Sequence, residues 1–205
     1  MYRTPRIVAA LLLTSAVAAS AWAQHVPITD WSHGTTLNGF GGMNADSKQS
    51  GPLVGGAAGW ELTPALAIEG SGGWTEFGHG TTSFAGAVQA RLRIAGRRQI
   101  DPFVQAGVGL YRMTFGRTET AIPDFYARRM TDAAARTGRT FTDPTLVAGG
   151  GVSVFLNRHI AVRPDVQVTF VRRNGDGHTV TTMAVHLVYH FEHHPVTPTR
   201  RSSAG

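Results

Sequence analysis

Residues 160–170 read IAVRPDVQVTF and alternate strictly between two kinds of side chain. A period of two is typical of a β-strand whose two faces meet different surroundings. The same alternation recurs along the chain after Gln24, whereas helical periodicity is nearly absent. One face of this stretch carries Ile160, Val162, Pro164, Val166, Val168 and Phe170, and the other carries Ala161, Arg163, Asp165, Gln167 and Thr169.

Eight segments of this kind follow one another, and each is long enough to cross a membrane. A tilted membrane strand needs roughly 9–11 residues in the hydrocarbon, whereas an average soluble strand has about 5–6. The length of the segments is therefore itself evidence for a membrane protein. We predict strands at residues 35–43, 52–62, 65–75, 82–94, 101–115, 143–156, 159–172 and 178–191.

The connections between these strands differ in length. Those at 63–64, 96–100 and 157–158 are short, and the one at 116–142 is long. Short turns at one end and longer loops at the other are typical of outer-membrane barrels. The sequence therefore predicts an all-β fold, an eight-stranded antiparallel transmembrane up-and-down β-barrel. An even number of strands puts both chain ends at the short-turn end, which is periplasmic in such barrels.

The alternation alone leaves open which face points inward. A soluble periplasmic ligand-binding barrel of the lipocalin type would turn the apolar face inward. A membrane barrel is favoured because small residues accompany the charged ones, as a narrow lumen requires, and because the polar face is poor in Lys, Glu and Asp. Aromatic residues near strand ends fit the girdles of a membrane barrel: Trp60, Trp74, Phe103, Phe115, Phe155, Phe170, Tyr189 and Phe191.

The two ends of the chain differ from the barrel in composition. Arg3 and Arg6 precede an apolar stretch at 7–13, and residues 21–23 read AWA, which is typical of a secretory signal peptide. A membrane anchor is disfavoured because a spanning helix needs roughly 20 apolar residues. We predict a signal peptide at 1–23, an N-terminal lead at 24–34, the barrel at 35–191 and a disordered basic tail at 192–205. The chain has no cysteine, so disulfides and thiolate metal sites are excluded.

Two glycine-rich segments and the last strand carry a family resemblance. Residues 102–111 read PFVQAGVGLY, residues 148–159 read AGGGVSVFLNRH, and the last strand ends in Tyr189-His190-Phe191. With the signal peptide and eight long strands, they resemble the small outer-membrane barrel superfamily, which includes the OmpA-like transmembrane domain and porin-like proteins. The resemblance implies export to the outer membrane and insertion by the barrel assembly machinery, which reads a terminal aromatic-x-Phe signal. The chain departs from many members by continuing to Gly205, a tail too short for a peptidoglycan-binding domain.

Charged residues on the polar face are the main candidates for a functional site. We predict an interior network of Glu61, Glu69, Arg91, Arg93, Arg163 and Asp165, all in the periplasmic half of the barrel. Buried charges need partners, so these three acids and three bases are expected to form a neutral Arg–carboxylate lattice. We favour a structural plug over a gate for small solutes, because eight strands enclose no aqueous channel.

A second, basic feature lies at the long-loop end. Arg is suited to bidentate contact with phosphate, so these arginines are predicted to hold lipopolysaccharide; a merely solvated loop surface remains the equal alternative. The long loop also predicts a short helix over 124–136, capped by Asp124, with Phe125 and Met130 leaning on the barrel rim. The predicted lipopolysaccharide contacts are Arg112, Arg117, Arg128, Arg129, Arg172 and Arg173, with Arg136 and Arg139 beside them.

Other function classes find little support in the sequence. His190, His193 and His194 match no zinc signature, and we expect neither metal nor cofactor. The net charge of +6 raises nucleic acid as a partner, but no aromatic residues interleave a basic groove, and an exported barrel does not meet nucleic acid. A lipid A-modifying enzyme is the main alternative class, yet neither a His-x-Ser pair nor a G-x-S-x-G motif occurs. We therefore expect a monomeric, non-enzymatic outer-membrane protein for envelope integrity, surface interaction or at most narrow porin-like leakage.

Overall fold

The computed structural model describes residues 34–94, 99–116, 121–130, 140–173 and 176–192. Eight strands and one short helix make up this part of the chain. No helix among the described residues is long and apolar enough to cross a membrane. The elements are β1 (Gly34–Ala45), β2 (Ser50–Glu61), β3 (Leu66–Gly78), β4 (Thr81–Arg93), β5 (Ile100–Thr114), α1 (Asp124–Met130), β6 (Thr140–Phe155), β7 (Ile160–Arg173) and β8 (Asp176–Glu192).

The eight strands form one closed antiparallel barrel in sequence order. β1 closes the barrel by pairing with β8 from Gly34, opposite Glu192, to Ala45, opposite Thr181. Closure leaves no sheet edge with unpaired backbone groups, which a membrane does not tolerate. The eight-stranded antiparallel barrel is therefore confirmed, and each predicted strand lies within a few residues of an observed one.

The connections define two ends of the barrel, which we name the short-turn end and the long-loop end after the single long connection, β5–β6. The β1–β2 and β3–β4 connections are as short as the turns at the opposite end, so the prediction of longer loops holds for β5–β6 alone. The short-turn end holds the β2–β3, β4–β5 and β6–β7 turns and both ends of the described chain. The long-loop end holds the β1–β2, β3–β4, β5–β6 and β7–β8 connections. The tight β3–β4 turn needs a left-handed backbone at Gly78, His79 and Gly80, with φ values of 87°, 51° and 77°, and the two glycines adopt it without strain.

The apolar face of each strand points out of the barrel. Large apolar side chains such as Val88, Val108 and Leu187 are about 60% exposed, at 57%, 61% and 62%. Polar residues on the opposite face of the strands, such as Gln89, Arg163 and His186, are buried at 3%, 1% and 3% exposure. A soluble barrel would reverse this pattern, so the soluble alternative is wrong and the apolar band is the surface that faces lipid.

Three of the predicted girdle aromatics point inward instead. Phe103, Phe115 and Phe155 are buried in the lumen, whereas Trp60, Trp74, Phe170, Tyr189 and Phe191 are exposed on the outer face. The prediction relied on the position of these residues near strand ends and neglected the alternation of side chains between the inner and outer faces of each strand. Phe103 alternates in step with Asp101 and Gln105, so it shares their inward direction.

Glycines on the inner face make room for larger polar side chains. A Cβ atom at Gly107 would lie 2.8 Å from the Cγ atom of Gln89, and one at Gly149 would lie 2.9 Å from that of Gln167. Both distances are too short for van der Waals contact, and both glycine positions also press on backbone carbonyls of the neighbouring strand. The glycine-rich segments of β5 and β6 thus let two glutamines reach across the lumen.

Single-cysteine labelling tests which face meets lipid, because the chain has no native thiol. Val166 is exposed and Gln167 is partly buried beside the lumen. A bilayer-soluble fluorophore on V166C is expected to be quenched by brominated acyl chains, and the same label on Q167C is expected to be several-fold less quenched. Stronger quenching at position 167 would reverse the assignment of the two faces.

Candidate functional site in the barrel lumen

A buried ion cluster crosses the lumen around Glu69 of β3, in the half of the barrel nearer the short-turn end, as predicted. Its carboxylate accepts two hydrogen bonds from Arg163 of β7, at 3.1 and 2.9 Å, and forms a salt bridge with Arg91 of β4. Both guanidinium groups also lie over the ring of Phe103, at 5.2 and 5.7 Å from its centroid. All three charged side chains are almost fully buried. Three strands are therefore tied together across the lumen through one carboxylate.

His186 of β8 joins this cluster to a second carboxylate, Asp165 of β7. Its Nε2 atom lies 3.2 Å from Asp165 Oδ2, and its Nδ1 atom lies 2.9 Å from an Arg163 nitrogen. Asp165 also accepts hydrogen bonds from the Gln105 and Gln167 amides, at 3.3 and 3.4 Å. We call the group of Glu69, Arg91, Arg163, Asp165 and His186 the middle cluster.

A separate ion cluster lies nearer the short-turn end. Arg93 of β4 forms salt bridges with Glu61 of β2 and, at 3.3 Å, with Asp101 of β5. His190 of β8 approaches Glu61 at 3.4 Å and stacks at a tilt on Phe155, with 5.3 Å between ring centroids. This lower cluster links strands on both sides of the lumen and narrows the exit at the short-turn end.

All six residues predicted for the interior network point into the lumen, but they fall into two groups. Asp165 has His186 and two glutamines as its nearest polar partners, where an arginine was expected. Sequence reasoning left out Asp101 and His186 as members of the network. Both were visible in the alternation, since Asp101 precedes inward Phe103 by two residues and His186 lies on the polar face of β8.

An aromatic cork closes the long-loop end of the lumen. The side chains of Phe125 and Tyr126 on α1 are buried between the strands, where they meet Phe115, Phe141 and the ring of His178. Burial raises the pKa of the Tyr126 hydroxyl. The predicted helix is present but ends at Met130 within the described residues, and Phe125 inserts into the mouth rather than leaning on the rim.

Ion pairs hold the cork to three neighbouring parts of the rim. Asp143 of β6 is fully buried and accepts hydrogen bonds from Arg129 of α1, at 2.7 Å, and from Arg173 of β7, at 3.1 Å. Lys48 in the β1–β2 turn lies 2.7 Å from Asp124 and lowers its pKa, and Arg128 lies 3.2 Å from Asp176 of β8. The Asp124 carboxylate thus binds Lys48, a partner that the predicted capping role did not include.

A small polar chamber separates the cork from the middle cluster. Its volume is about 50 Å³, and a buried water needs roughly 10–15 Å³ measured in this way. The chamber therefore holds a few water molecules at most. Its lining includes Asn44, Gln89, Gln167, Thr169, Thr182 and His186.

The arginines predicted to bind lipopolysaccharide are dispersed at the long-loop end. Arg112 of β5 and Arg172 of β7 are exposed, and neither forms a salt bridge with another described residue. Arg128, Arg129 and Arg173 are engaged by acids of the chain itself, as given above, and Arg129 also stacks on Phe141 at 4.4 Å. Arg117, Arg136 and Arg139 lie outside the described residues, as do His193 and His194. Across the described ranges, no group of three or more acidic or histidine side chains is arranged to hold a metal ion.

Removing the acceptor that ties the cork down should expose α1 to protease. In D143N, Arg129 and Arg173 lose a charged acceptor, and a hydrogen bond to a charged group contributes about 1.5–3 kcal/mol. We expect trypsin to cleave after Arg128 or Arg129 about tenfold faster than in the wild type, since local opening limits cleavage. The control is D176N, whose exposed pair with Arg128 should contribute at most about 1 kcal/mol. Equal rates in D143N and wild type would contradict this role of Asp143.

The closed barrel, its apolar outer band and its charged lumen define a class of protein, the small transmembrane β-barrels of outer membranes. The chain belongs to the outer membrane protein beta-barrel domain family, whose model matches residues 9–191. The protein is accordingly placed in an outer membrane. No curated protein sequence is significantly similar to the chain.

Several solved structures share the fold. The N-terminal barrel domain of Pseudomonas aeruginosa OprF is 12% identical, with a TM-score of 0.54 over 77% of this chain and 98% of that domain. Neisserial surface protein A is 10% identical, with a TM-score of 0.57 over 78% and 97%. The outer membrane enzyme PagL is 16% identical over 76% of this chain and 98% of that chain, and at a TM-score of 0.43 nothing about this chain is concluded from it. At these identities the likeness concerns the fold alone.

Proposed function

We propose that the protein is a non-enzymatic, monomeric outer-membrane barrel with a sealed lumen, which contributes to envelope integrity and presents its long-loop end at the cell surface. The observation that carries this proposal is closure of the lumen at three levels. The aromatic cork, the middle cluster and the lower cluster each fill the cross-section with side chains. The chamber of about 50 Å³ between them is too small for a solute path.

A lipid A-modifying enzyme is the alternative in a different class. A serine hydrolase needs a serine within hydrogen-bond reach of a histidine and an orienting carboxylate. Three of the five described histidines, His178, His186 and His190, face the carboxylates of Asp46, Asp165 and Glu61 inside the barrel. These inward positions are away from acyl chains on the outer face, which supports a non-enzymatic role. Mass spectrometry of lipid A from cells with and without the protein tests this; altered acyl composition would favour the enzyme.

Planar-bilayer recording tests the sealed lumen. At neutral pH and moderate salt, the purified barrel is expected to give no steady conductance, because three layers of buried side chains block ions and water. A matched sample in which F125A and Y126A remove the cork should still be closed by the two ion clusters. Steady single-channel openings of the wild-type protein would contradict the proposal.

We further propose that the exposed arginines of the long-loop end contact phosphates of lipopolysaccharide. Arg112 lies on β5 and Arg172 on β7, the two strands that flank β6. Each arginine is two positions beyond a residue of the outer apolar band, Leu110 and Phe170 respectively. Guanidinium groups directly above an apolar band are placed at the height of lipid phosphates, which supports this contact. Residues 1–23 are proposed to direct export, and the barrel assembly machinery to insert the chain.

Lipopolysaccharide binding can be measured as a rise in the melting temperature of the barrel when the lipid is added to detergent micelles. The double variant R112Q/R172Q is expected to lose most of this rise. The control is R158Q, because Arg158 is at the opposite, short-turn end. If the double variant keeps the full rise, these two arginines do not make the contact.

A further inference from the structure

His186 in the middle cluster has a donor and an acceptor facing the same ring nitrogen. Its Nδ1 atom lies 2.9 Å from a terminal nitrogen of Arg163 and 2.9 Å from Oδ1 of Asn38 on β1. A guanidinium nitrogen only donates hydrogen bonds and a carbonyl oxygen only accepts them. Nδ1 therefore satisfies Arg163 when it carries no proton and Asn38 when it carries one, but never both.

The orientation of the Asn38 amide is fixed by its other contact. Its nitrogen donates to Glu69 Oε2 at 3.0 Å. Rotating the amide by half a turn would place its carbonyl oxygen against this carboxylate. Asn38 therefore offers His186 an acceptor, and it has no other described hydrogen-bond partner for that oxygen.

The charges of the middle cluster cancel when His186 is neutral. Glu69 and Asp165 carry two negative charges, and Arg91 and Arg163 carry two positive charges. In this state the Nε2–H group faces Asp165 Oδ2 at 3.2 Å, and Nδ1 accepts a hydrogen bond from Arg163. The imidazole then lies between the two carboxylates of the network, in contact with Arg163 on one side and Asp165 on the other.

A proton on Nδ1 reverses these matches. The new N–H group donates to Asn38, while Nε2–H still faces the Asp165 carboxylate. The ring of Phe40, 4.6 Å away between centroids, offers an aromatic face to the cation. Arg163 loses His186 as an acceptor and is repelled by the imidazolium at hydrogen-bond distance. Its two hydrogen bonds with Glu69 remain available.

From these contacts we propose that His186 is a proton-binding switch inside the lumen. The neutral ring accepts a hydrogen bond from Arg163, and the protonated ring donates one to Asn38 instead. Imidazole is the side chain that changes charge between about pH 5 and 8. His186 lines the small chamber, so water held in the chamber can exchange a proton with the imidazole ring. The charged groups that face it from the neighbouring strands are Glu69 of β3, Arg91 of β4, and Arg163 and Asp165 of β7; β1 contributes uncharged Asn38 and Phe40, and Gln105 of β5 reaches Asp165.

The release of Arg163 would loosen the floor of the chamber. When His186 is neutral, Arg163 joins Glu69 of β3 to His186 of β8. After protonation this link passes to Asn38 of β1, and Arg163 is held by Glu69 alone. Mild acid would therefore weaken the contact between Arg163 and His186 by adding one proton to the imidazole. This device goes beyond the proposed sealed barrel, which concerns neutral pH.

Nitrogen NMR of the barrel in micelles tests the switch, with ¹⁵N-labelled histidine and arginine and with H186Q and R163K to assign the signals. At pH 8, His186 is expected as the Nε2–H form with a hydrogen-bonded, unprotonated Nδ1. On acidification, the Arg163 side-chain signals should shift with the same midpoint as His186. An Nδ1–H form at pH 8, absence of protonation down to pH 4.5, or Arg163 signals unchanged through the His186 titration would each overturn the proposal.

A second variant tests the acceptor for the protonated state. N38L removes the carbonyl that receives the Nδ1–H group, so proton affinity at His186 is expected to fall about tenfold, which moves its midpoint down by about one pH unit. The control is N44L, since Asn44 lies on the inner face of the same strand but bonds to Thr75 and Thr182 instead. An unchanged midpoint in folded N38L contradicts the switch; if N38L does not fold, the tautomer of the wild-type protein decides.

Discussion

Replacing Glu69 by glutamine is expected to lower the free energy of unfolding of the barrel by about 3–5 kcal/mol. The carboxylate is the shared acceptor of Arg91 and Arg163, and all three side chains are buried. A glutamine keeps the shape but removes the charge, so two guanidinium groups remain in a low-dielectric lumen with one carboxylate, Asp165, nearby. Removing one partner of a buried ion network destabilises the fold by more than the intact network stabilises it, because the charges left behind have no water to solvate them.

Reversible urea unfolding in lipid vesicles measures this loss. Trp60 and Trp74 lie exposed on the outer face, so their fluorescence reports contact with lipid. The matched control is E76Q, on the same strand, where Glu76 is exposed near the long-loop end and a change should stay within about 0.5 kcal/mol. A loss in E69Q no larger than in E76Q would show that the middle cluster is hydrated and does not depend on the pairing seen here.

An arginine in the middle of the outer face is the second change with a large expected effect. V185R puts a cation near the centre of β8 on the side that meets lipid, where Val185 is exposed and pairs with Gly41 and Pro164. Arg at the midplane of a transmembrane barrel costs about 2–4 kcal/mol. The same urea experiment should show this loss in vesicles.

Depth along the same strand provides the control for this change. Thr179 is exposed near the long-loop end of β8, and T179R should cost only about 0–1 kcal/mol, because the cation reaches the interface. The two variants add the same side chain to the same face at different depths, and the residues that they replace, valine and threonine, are similar in size. Equal losses in V185R and T179R would mean that the outer band does not sit across the hydrocarbon as proposed.

Most of the architecture could be predicted from the alternation of apolar and polar side chains along the sequence. Every predicted strand is present, and Arg163 and Leu187 point to the faces that their parity indicates. Parity is a local property, because successive side chains of an extended chain point in opposite directions whatever the rest of the fold does. Where parity was neglected, as for Phe103, the prediction failed.

The pairing inside the lumen depends on contacts between strands that are distant in sequence. Glu69 and Arg163 are 94 positions apart, and Asn38 and His186 are 148 apart. The sequence showed that each of these side chains points inward, but the height at which they meet follows from the register of eight strands around a closed barrel. For this reason Asp165 has a histidine partner that charge counting did not indicate.

The aromatic cork also combines a feature that the sequence predicts with contacts that only the tertiary structure shows. The sequence indicated a helix after Pro123, but it did not indicate that Phe125 and Tyr126 would fill the mouth or that Arg129 would bind Asp143. Local propensity and side-chain period thus determined an eight-stranded membrane barrel with a charged interior. Only the closed tertiary structure decided which charges pair, where a histidine stands between a donor and an acceptor, and what seals the lumen, because these depend on the register and depth of strands that the chain brings together from afar.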